Sequence, residues 1–244
     1  MQPADQYPTI EQDWPRMYTE FCDVYDRFAE RVWSNSVVYP TIDELVSLDG
    51  KMVADIGAGT GRSTLEFGKY ARNVVAVEPR AAMRSVAAKN FERADTANVE
   101  LIRGSGNRLP LAPRAFDVAA CVMSVAFVAL PGARELVRDT AAIVTPGGHI
   151  VVVGLPPFWY AGELAEVVLG ESRTTPENGE GLQSTVLSQL GFEHHDVDAA
   201  QTFSSVEEAV ETFGFIFGRN AIRHIIEYNM ASIKWRFRIS ILQV

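Results

Sequence analysis

Three glycines at alternate positions follow an apolar segment, and their spacing could bring a nucleoside cofactor against the main chain. Residues 53–61 read VADIGAGTG, in which Asp55 precedes the first glycine by two positions. The glycines are Gly57, Gly59 and Gly61. Because glycine has no Cβ, it adopts positive φ angles and lets a ligand approach the backbone closely. The segment therefore predicts a strand, a tight turn and then a helix over residues 62–72 whose free N–H groups face the ligand.

The position of the third glycine separates two classes of cofactor that use such a loop. A dinucleotide loop has glycines at its first, third and sixth positions, but the sixth position here is Arg62. A carboxylate at Asp55 would repel a pyrophosphate and attract a ligand that carries an ammonium and a sulfonium. The second predicted strand ends in Glu78, about where a ribose-binding acid is expected. The sequence favours a sulfonium nucleoside, and a nicotinamide-dependent oxidoreductase remains a disfavoured alternative.

Five segments, in chain order, resemble the motifs of the class I S-adenosylmethionine-dependent methyltransferases. The segments are residues 53–61, 77–83, 104–110, 116–118 and 146–150. The resemblance implies that the cofactor is S-adenosyl-L-methionine, that Asp55 and the glycine loop hold its methionine end, and that Glu78 binds its ribose. The family often has an acidic residue where this chain has Ser105, so the adenine amino group would meet Ser105 or backbone carbonyls. The other cofactor contacts that the resemblance implies are Ala58, Pro79, Met123, Gly106 and Asn107.

Residues 1–50 predict a helical cap before the main domain, residues 51–244. Its first helix would open at Pro15, because apolar residues then recur at helical spacing. Tyr18 and Tyr25 would share one face of this helix, where they either pack on the scaffold or cover the methionine end of the cofactor. The second role is implied by the resemblance of Tyr25-Asp26 to a Tyr-Asp pair of the family. A capping box at Thr41 predicts a second helix that ends near Gly50.

Strands and helices alternate through the rest of the chain, which indicates an α/β fold with helices on both faces of a sheet. The predicted strands are residues 51–56, 73–78, 98–103, 116–122, 149–154, 194–199 and 235–242. We expect a doubly wound, Rossmann-like, seven-stranded sheet that is mostly parallel, with an antiparallel last strand as in the family. Ligands bind beyond the carboxyl ends of the strands in such sheets, where the cofactor residues above are placed.

Two helical insertions, residues 155–181 and 205–234, leave the sheet on the side of the expected cofactor site. We expect them to form a lid that encloses an aromatic or partly apolar acceptor, while a dimer interface or ordinary core packing stays open. A capping box at Ser205 predicts the first helix of the second insertion. The aromatic residues expected to bind the acceptor are Phe158, Trp159, Tyr160, Phe213, Phe217 and Tyr228.

Methyl transfer is an in-line displacement that requires alignment of donor and acceptor, and a base only where the acceptor must lose a proton. His224, in the second insertion, is the first candidate for that base, although a lone His on a helix is more often structural. We expect transfer to an oxygen or nitrogen of a small molecule. The alternatives are the same fold catalysing a rearrangement or cyclisation, or acting as a non-catalytic partner.

Composition narrows the class of partner. The formal net charge of −9, without a cluster of Lys and Arg, argues against a nucleic-acid partner. The longest apolar run, residues 118–130, is shorter than the roughly 20 residues that cross a bilayer, and no signal segment is present at the N-terminus. The two cysteines have neither metal-ligand nor disulfide spacing. We therefore expect a cytoplasmic protein that binds no metal. Whether it forms a homodimer stays open.

Overall fold

The computed structural model contains a sheet of seven strands in the order β3-β2-β1-β4-β5-β7-β6. It describes residues 2–106, 108–124, 130–170 and 179–244. The strands are β1 (Met52–Ile56), β2 (Asn73–Glu78), β3 (Val99–Arg103), β4 (Phe116–Val122), β5 (Val144–Gly154), β6 (Glu193–Thr202) and β7 (Ser232–Gln243). β7 pairs antiparallel with β5 and β6, and the other pairings are parallel. The predicted doubly wound sheet with an antiparallel last strand is confirmed.

Helices lie between most of the strands. They are α1 (Trp14–Met17), α2 (Cys22–Trp33), α3 (Val38–Val46), α4 (Arg62–Phe67), α5 (Ala81–Ala94), α6 (Leu130–Ala141), α7 (Ala165–Leu169), α8 (Gly179–Gln189), α9 (Val206–Ala209), α10 (Phe215–Phe217) and α11 (Arg219–Glu227). Within the described ranges, no helix combines the length and the apolar character needed to cross a bilayer.

Alternate residues of the strands face two separate apolar cores. Val53 of β1 belongs to the core that also contains side chains of α2 and α3, whereas Ala54 and Ile56 belong to the core that contains side chains of α6 and α8. This alternation follows from the period of two along a strand. Both faces of the parallel sheet are therefore covered, which is the condition under which parallel sheets occur.

β5 begins at Val144, five residues before its predicted start at position 149. Val144 pairs with Phe116, and the register then shifts, so that His149 pairs with Val118. A Cβ added at Gly148 would lie 2.5 Å from the carbonyl oxygen of Asp117. The glycine is thus required where the bulged strand approaches β4.

The cap differs from its prediction in two places. The single helix expected from Pro15 is two helices, because the chain leaves the helical path between α1 and α2. The capping box at Thr41 is wrong: α3 begins at Val38, and the Thr41 hydroxyl donates to the carbonyl oxygen of Val37 at 2.9 Å instead of capping an N-terminus. A threonine within a helix commonly bonds backward in this way.

The helices of the second insertion pack on the beginning of the chain. Ser205 caps α9, as predicted, by accepting a hydrogen bond from the N–H of Glu208 at 3.1 Å. The N–H of Ile10 donates to the carbonyl oxygen of Phe215 at 3.0 Å, and the Arg219 guanidinium donates to that of Tyr7 at 2.7 Å. The N-terminal segment therefore packs directly on α10 and α11 of the second insertion.

Candidate functional site

A cleft opens at the carboxyl ends of β1, β2 and β4, where the order of the sheet reverses between β1 and β4. We call it the switch-point cleft. It encloses about 120 Å³ and adjoins a cavity of about 500 Å³ through a shared residue, Pro79. The predicted cofactor residues on its wall are Tyr18, Tyr25, Gly57, Gly59, Glu78, Pro79, Gly106 and Met123. This is the position at which open α/β sheets bind ligands.

The three glycines of the loop serve different purposes. All three have positive φ, namely 77° at Gly57, 58° at Gly59 and 80° at Gly61. A Cβ at Gly57 would lie 2.5 Å from the Cβ of Ser124, and one at Gly61 would overlap the Phe91 ring. A Cβ at Gly59 would meet its nearest neighbour only at 3.5 Å. Gly57 and Gly61 therefore allow close packing, whereas Gly59 leaves its backbone open toward the cleft.

Most N–H groups of the loop already have acceptors within the protein. Those of Gly57 and Ala58 donate to the carbonyl oxygen of Val77 at 2.7 and 3.1 Å, and that of Gly61 donates to the carbonyl oxygen of Ala58 at 2.8 Å. A pyrophosphate site needs such groups to point at the ligand. The predicted helix over residues 62–72 is also only the six-residue α4. The loop thus lacks the donors of a pyrophosphate cradle at these three positions.

Glu78 lies at the end of β2 with 4% of its surface exposed, on the wall of the cleft. Its Oε2 accepts from the N–H of Gly59 at 3.0 Å, and its Oε1 accepts from the N–H of Arg80 at 2.8 Å. Each carboxylate oxygen has further lone pairs available, so the group can also accept from hydroxyls in the cleft. This placement agrees with a ribose-binding acid.

Asp55 lies beneath the loop, with 1% of its surface exposed. Its Oδ2 accepts from the hydroxyls of Ser63 and Thr64 at 2.7 and 2.6 Å. Its Oδ1 is buried without a hydrogen-bond partner among the described residues, as is the hydroxyl of Thr60 in the glycine loop. Burial raises the pKa of the Asp55 carboxyl to about 6, partly offset by the two hydroxyl donors. Such a group is suited to a cationic partner, because its free oxygen is an unsatisfied acceptor.

The two tyrosines of the cap both lie on the wall of the cleft. Their rings meet edge to face with centroids 5.3 Å apart, and the Arg80 guanidinium lies 4.9 Å from the centroid of Tyr18. Burial raises the pKa of Tyr18 to about 12 and raises that of Tyr25 further, so both phenols are protonated at neutral pH. The sequence left open whether these residues pack on the scaffold or face the ligand; in the structure they pack against each other and also line the cleft, and their contact with the cofactor stays a prediction.

The far end of the cleft contains the residues expected near the adenine. Gly106 is on the cleft wall, and Ser105 lines the adjoining cavity. Asn107 lies outside the described residues. Ala58 is buried behind the loop, where its N–H is already bonded. Ala58 is therefore not on the described wall of the cleft, and its contact with the cofactor stays a prediction.

Met123 and Ser124 form the wall of the cleft at the end of β4. Met123 has φ 49° and a side chain that is 43% exposed, a left-handed conformation that is uncommon for a residue with a Cβ. Ser124 donates from its hydroxyl to the carbonyl oxygen of Ile56 at 2.5 Å. The sequence prediction missed Ser124 as a cleft residue; its position immediately after Met123 was the available signal.

Phe213 and Phe217, expected to contact the acceptor, are core residues, and we correct that prediction. They are 0% and 3% exposed, with ring centroids 4.3 Å apart. Trp235 and Phe28 pack around them at 5.9–6.4 Å. An acceptor could reach these rings only by displacing the core of the cap layer.

The four other predicted acceptor residues lie outside the part of the cleft wall that the structure describes. Tyr160 accepts a hydrogen bond from the Trp14 indole at 2.9 Å, and the Arg236 guanidinium lies 5.1 Å from the centroid of Trp159. Phe158 is 37% exposed with φ 70°. Tyr228 is 61% exposed. The first insertion is described only up to residue 170 and from 179 onward.

His224 does not belong to the described wall of the cleft. Its ring lies against that of Tyr228 with centroids 4.4 Å apart, on the last turn of α11. The structure thus places the predicted base, which is half-buried, against the exposed Tyr228. The described residues also contain no group of three or more His, Cys, Asp and Glu side chains that could hold a metal ion.

Comparison of the sequence with known families finds one match across the site. A family profile described as a methyltransferase domain matches residues 53–148, which run from β1 into β5. The chain is 31% identical over 150 residues to a demethylmenaquinone methyltransferase of Beutenbergia cavernae. That alignment covers 60% of this chain and 57% of the relative, so the chain spans little more than half of that protein.

Solved structures share the fold at low sequence identity. The YcgJ protein of Bacillus subtilis superposes with a TM-score of 0.58 at 15% identity, over 84% of this chain and 97% of that one. The [4+2]-cyclase SpnF superposes with a TM-score of 0.58 at 17% identity, over 97% of this chain and 96% of that one. At these identities the likeness concerns the fold and not the reaction.

Proposed function

We propose that this chain, which belongs to the class I S-adenosylmethionine-dependent methyltransferases through the methyltransferase domain at residues 53–148, transfers a methyl group to a small molecule. The observation that carries the proposal is the arrangement of two groups on the wall of the cleft and a third beneath its glycine loop. Gly59 presents open backbone, Glu78 presents a carboxylate, and Asp55 holds an unpaired buried oxygen beneath the loop.

The residues present fit S-adenosyl-L-methionine. Glu78 would accept hydrogen bonds from the ribose hydroxyls while it keeps its bonds from the backbone. The unpaired Asp55 oxygen, together with the Thr60 hydroxyl, would supply acceptors toward the ammonium of the methionine end. Ser105 and Gly106 would bound the adenine.

The same geometry weighs against a nicotinamide dinucleotide. The N–H groups of Gly57, Ala58 and Gly61 are bonded to backbone carbonyls, so they are not free for phosphate oxygens. Asp55 would place a buried carboxylate beneath the loop that would carry the pyrophosphate. These features support the sulfonium nucleoside that the spacing of the glycines favours.

The bound cofactor would supply an electrophilic methyl group for in-line attack. The part of the protein is then to orient the acceptor and to exclude water. Tyr18 and Tyr25 cover one side of the cleft, and Met123 and Ser124 bound another. The titratable side chains on the described wall are the two tyrosines, Glu78 and Arg80. Burial raises the pKa of both tyrosines, so their phenols stay protonated at neutral pH, and both Glu78 oxygens already accept from backbone N–H groups. Acceptors that need little assistance in losing a proton are therefore favoured.

The acceptor is proposed to be an aromatic or partly apolar metabolite. The support is the exposed Met123 side chain and the aromatic edge at Tyr18, which together offer apolar contact beside the expected methyl position. A relative named as a demethylmenaquinone methyltransferase agrees with a partly apolar acceptor. Oxygen and nitrogen acceptors are both consistent with this wall.

Calorimetric titration with S-adenosylmethionine, S-adenosylhomocysteine and NADH tests the cofactor assignment. We expect micromolar binding of the first two and none of the third. Phenols, catechols and aromatic amines are then screened with methyl-labelled cofactor, and transfer of label to product is measured. Binding of NADH alone would refute the proposal, while cofactor binding with conversion of an acceptor but no transfer of label would favour a cyclisation or rearrangement.

A further inference from the structure

A carboxylate that the proposed reaction does not use lies directly behind the cleft. Asp26, on α2, follows Tyr25, and its side chain is only 10% exposed. Arg62, the first residue of α4, donates from Nε to Asp26 Oδ1 at 2.8 Å and from a terminal nitrogen to Oδ2 at 2.6 Å. Arg62 also bonds Glu30 at 2.9 Å. The pair thus joins the cap helix to the helix that follows the glycine loop.

Asn90 connects the same carboxylate to the loop itself. Its amide nitrogen donates to Asp26 Oδ1 at 2.8 Å and to the carbonyl oxygen of Thr60 at 2.9 Å. Thr60 stands between Gly59 and Gly61. One side chain of α5 therefore holds the cap helix and the centre of the loop at a fixed separation. We call Asp26, Arg62 and Asn90 the loop clamp.

The residue next to the clamp covers the loop. A Cβ built on Gly59 would lie 3.7 Å from Cε1 of Tyr25, so the tyrosine ring and the open backbone of Gly59 face each other across the cleft. Tyr18 meets Tyr25 edge to face. A shift of α2 relative to α4 would change the width of the cleft at this point.

Stability alone is a weak reason for an ion pair at this place. The neighbouring buried residues of α2 are apolar, namely Ala29, Val32 and Trp33. Replacing a buried ion pair by packed apolar residues is often neutral or stabilising, whereas fully bonded polar groups fix one geometry. Both oxygens of Asp26 are bonded, in directions that specify the register of α2 against α4.

We propose that Asp26 is a positioning residue that sets Tyr25 over Gly59 through Arg62 and Asn90, so that cap and loop bind the cofactor as one unit. The proposal rests on the proposed function, because it concerns the same cleft. Asp26 would then contribute to cofactor affinity without touching the cofactor, by holding the cap helix in place.

The first experiment compares Asp26→Asn with Asp196→Asn, both titrated with S-adenosylhomocysteine by calorimetry. Asp196 also forms a two-point pair, with Arg238 at 2.7 Å for each contact, but on β6 and β7. We expect Asp26→Asn to weaken binding at least tenfold and Asp196→Asn to leave it unchanged within twofold. Equal affinities of wild type and Asp26→Asn would overturn the proposal.

A double-mutant cycle tests whether Asp26 acts through Tyr25. Tyr25→Ala is combined with Asp26→Asn, and the dissociation constants of the four proteins are compared. If the clamp serves to place the ring, Asp26→Asn should have less than a twofold effect once the ring is absent. If the two substitutions instead raise the dissociation constant by independent factors, Asp26 merely stabilises the fold, since a structural role does not require Tyr25.

Asn90→Ala covers the case in which Asp26→Asn does not fold, because it removes the link to Thr60 without leaving a buried charge. We expect it to weaken S-adenosylhomocysteine binding threefold or more in a protein that melts cooperatively, and unchanged binding would overturn the proposal. Wild type is the reference in each series. If the wild type fails to bind S-adenosylhomocysteine, the proposed function is refuted. If the wild type binds and the variants bind equally tightly, only the proposed role of the loop clamp is refuted.

Discussion

The carboxylate of Glu78 accepts a hydrogen bond from the N–H of Gly59 at 3.0 Å, so a side chain at the end of β2 fixes the loop at the end of β1. The same group is proposed to bind the ribose. One side chain thus both holds the loop and is proposed to bind the ribose, and variants of Glu78 test these two roles.

Replacing Glu78 by Ala should weaken the binding of S-adenosylhomocysteine by about 1–3 kcal/mol, because a buried acceptor and the anchor of Gly59 are lost together. Glu78→Gln keeps an acceptor for the Gly59 N–H and should lose less. Calorimetry on both variants measures the difference. If Glu78→Ala binds as tightly as wild type, the ribose assignment is wrong.

The pKa of Asp55, raised to about 6 by burial, predicts cofactor binding that depends on pH. The carboxylate form is required to attract the ammonium, and it is lost as the pH falls through 6. Affinity should therefore decrease between pH 7 and pH 5, by up to about tenfold per pH unit below the pKa. Asp55→Asn should bind more weakly at pH 7 and show a flatter profile. A wild-type profile that is already flat over this range would contradict the assignment.

The same residue predicts the opposite trend for stability. Its folded-state pKa of about 6 lies above the ordinary value of 3.8, so between these pH values the folded protein holds a proton that the unfolded chain has released. The contribution of Asp55 to the free energy of unfolding is then greatest at acidic pH and declines as the pH rises through 6, by roughly 3 kcal/mol in total. Urea unfolding at pH 4.5 and 7 should show a smaller decline for Asp55→Asn than for wild type.

The loop glycines should separate stability from affinity. Gly61→Ala places a Cβ against the Phe91 ring at φ 80°, so it should lower the melting temperature by several degrees. Gly59→Ala meets only ordinary contacts, costs about 1 kcal/mol for its positive φ, and puts a methyl group into the cleft. Calorimetry should show a larger loss of affinity for Gly59→Ala, and thermal melting a larger loss of stability for Gly61→Ala. The reverse ranking would contradict the roles inferred from the structure.

Phe213→Ala and His224→Ala test the corrected roles of the second insertion. Phe213 is fully buried, so its truncation should cost about 3–5 kcal/mol in the free energy of unfolding. His224 contacts Tyr228 and lies off the described cleft wall, so His224→Ala should keep the turnover of any acceptor that the screen identifies. Loss of turnover in His224→Ala without loss of stability would restore this residue as the base.

The cofactor side of the site could be predicted because its signals are local in the sequence. The spacing from Gly57 to Gly61 and the carboxylate at Glu78 fix positions at strand ends, and parallel pairing then brings those ends together. The order and direction of the strands followed from the same alternation. These features depend little on how distant side chains pack.

The aromatic residues of the second insertion could not be placed in this way. Residues Val210–Gly214 form a short π-helix between α9 and α10. Phe213 and Phe217 are buried together with Phe215 and Ile216 in one core cluster, a packing that no local pattern of the sequence specifies. The split between α1 and α2 also could not be predicted locally, because it depends on tertiary contacts of residues 4–18.

The pairing of residues 9–12 with Phe215 and Ile216 has a consequence for how the protein is made. During synthesis, β1, its glycine loop and β4 leave the ribosome long before α10 does. Residues 9–12 therefore lack their hydrogen-bond partners until α10 has been made. Closing so large a loop is entropically costly and slows the contact that completes it. The five strands β1–β5 can thus assemble first, whereas β7 and the contact of residues 9–12 with α10 are added later.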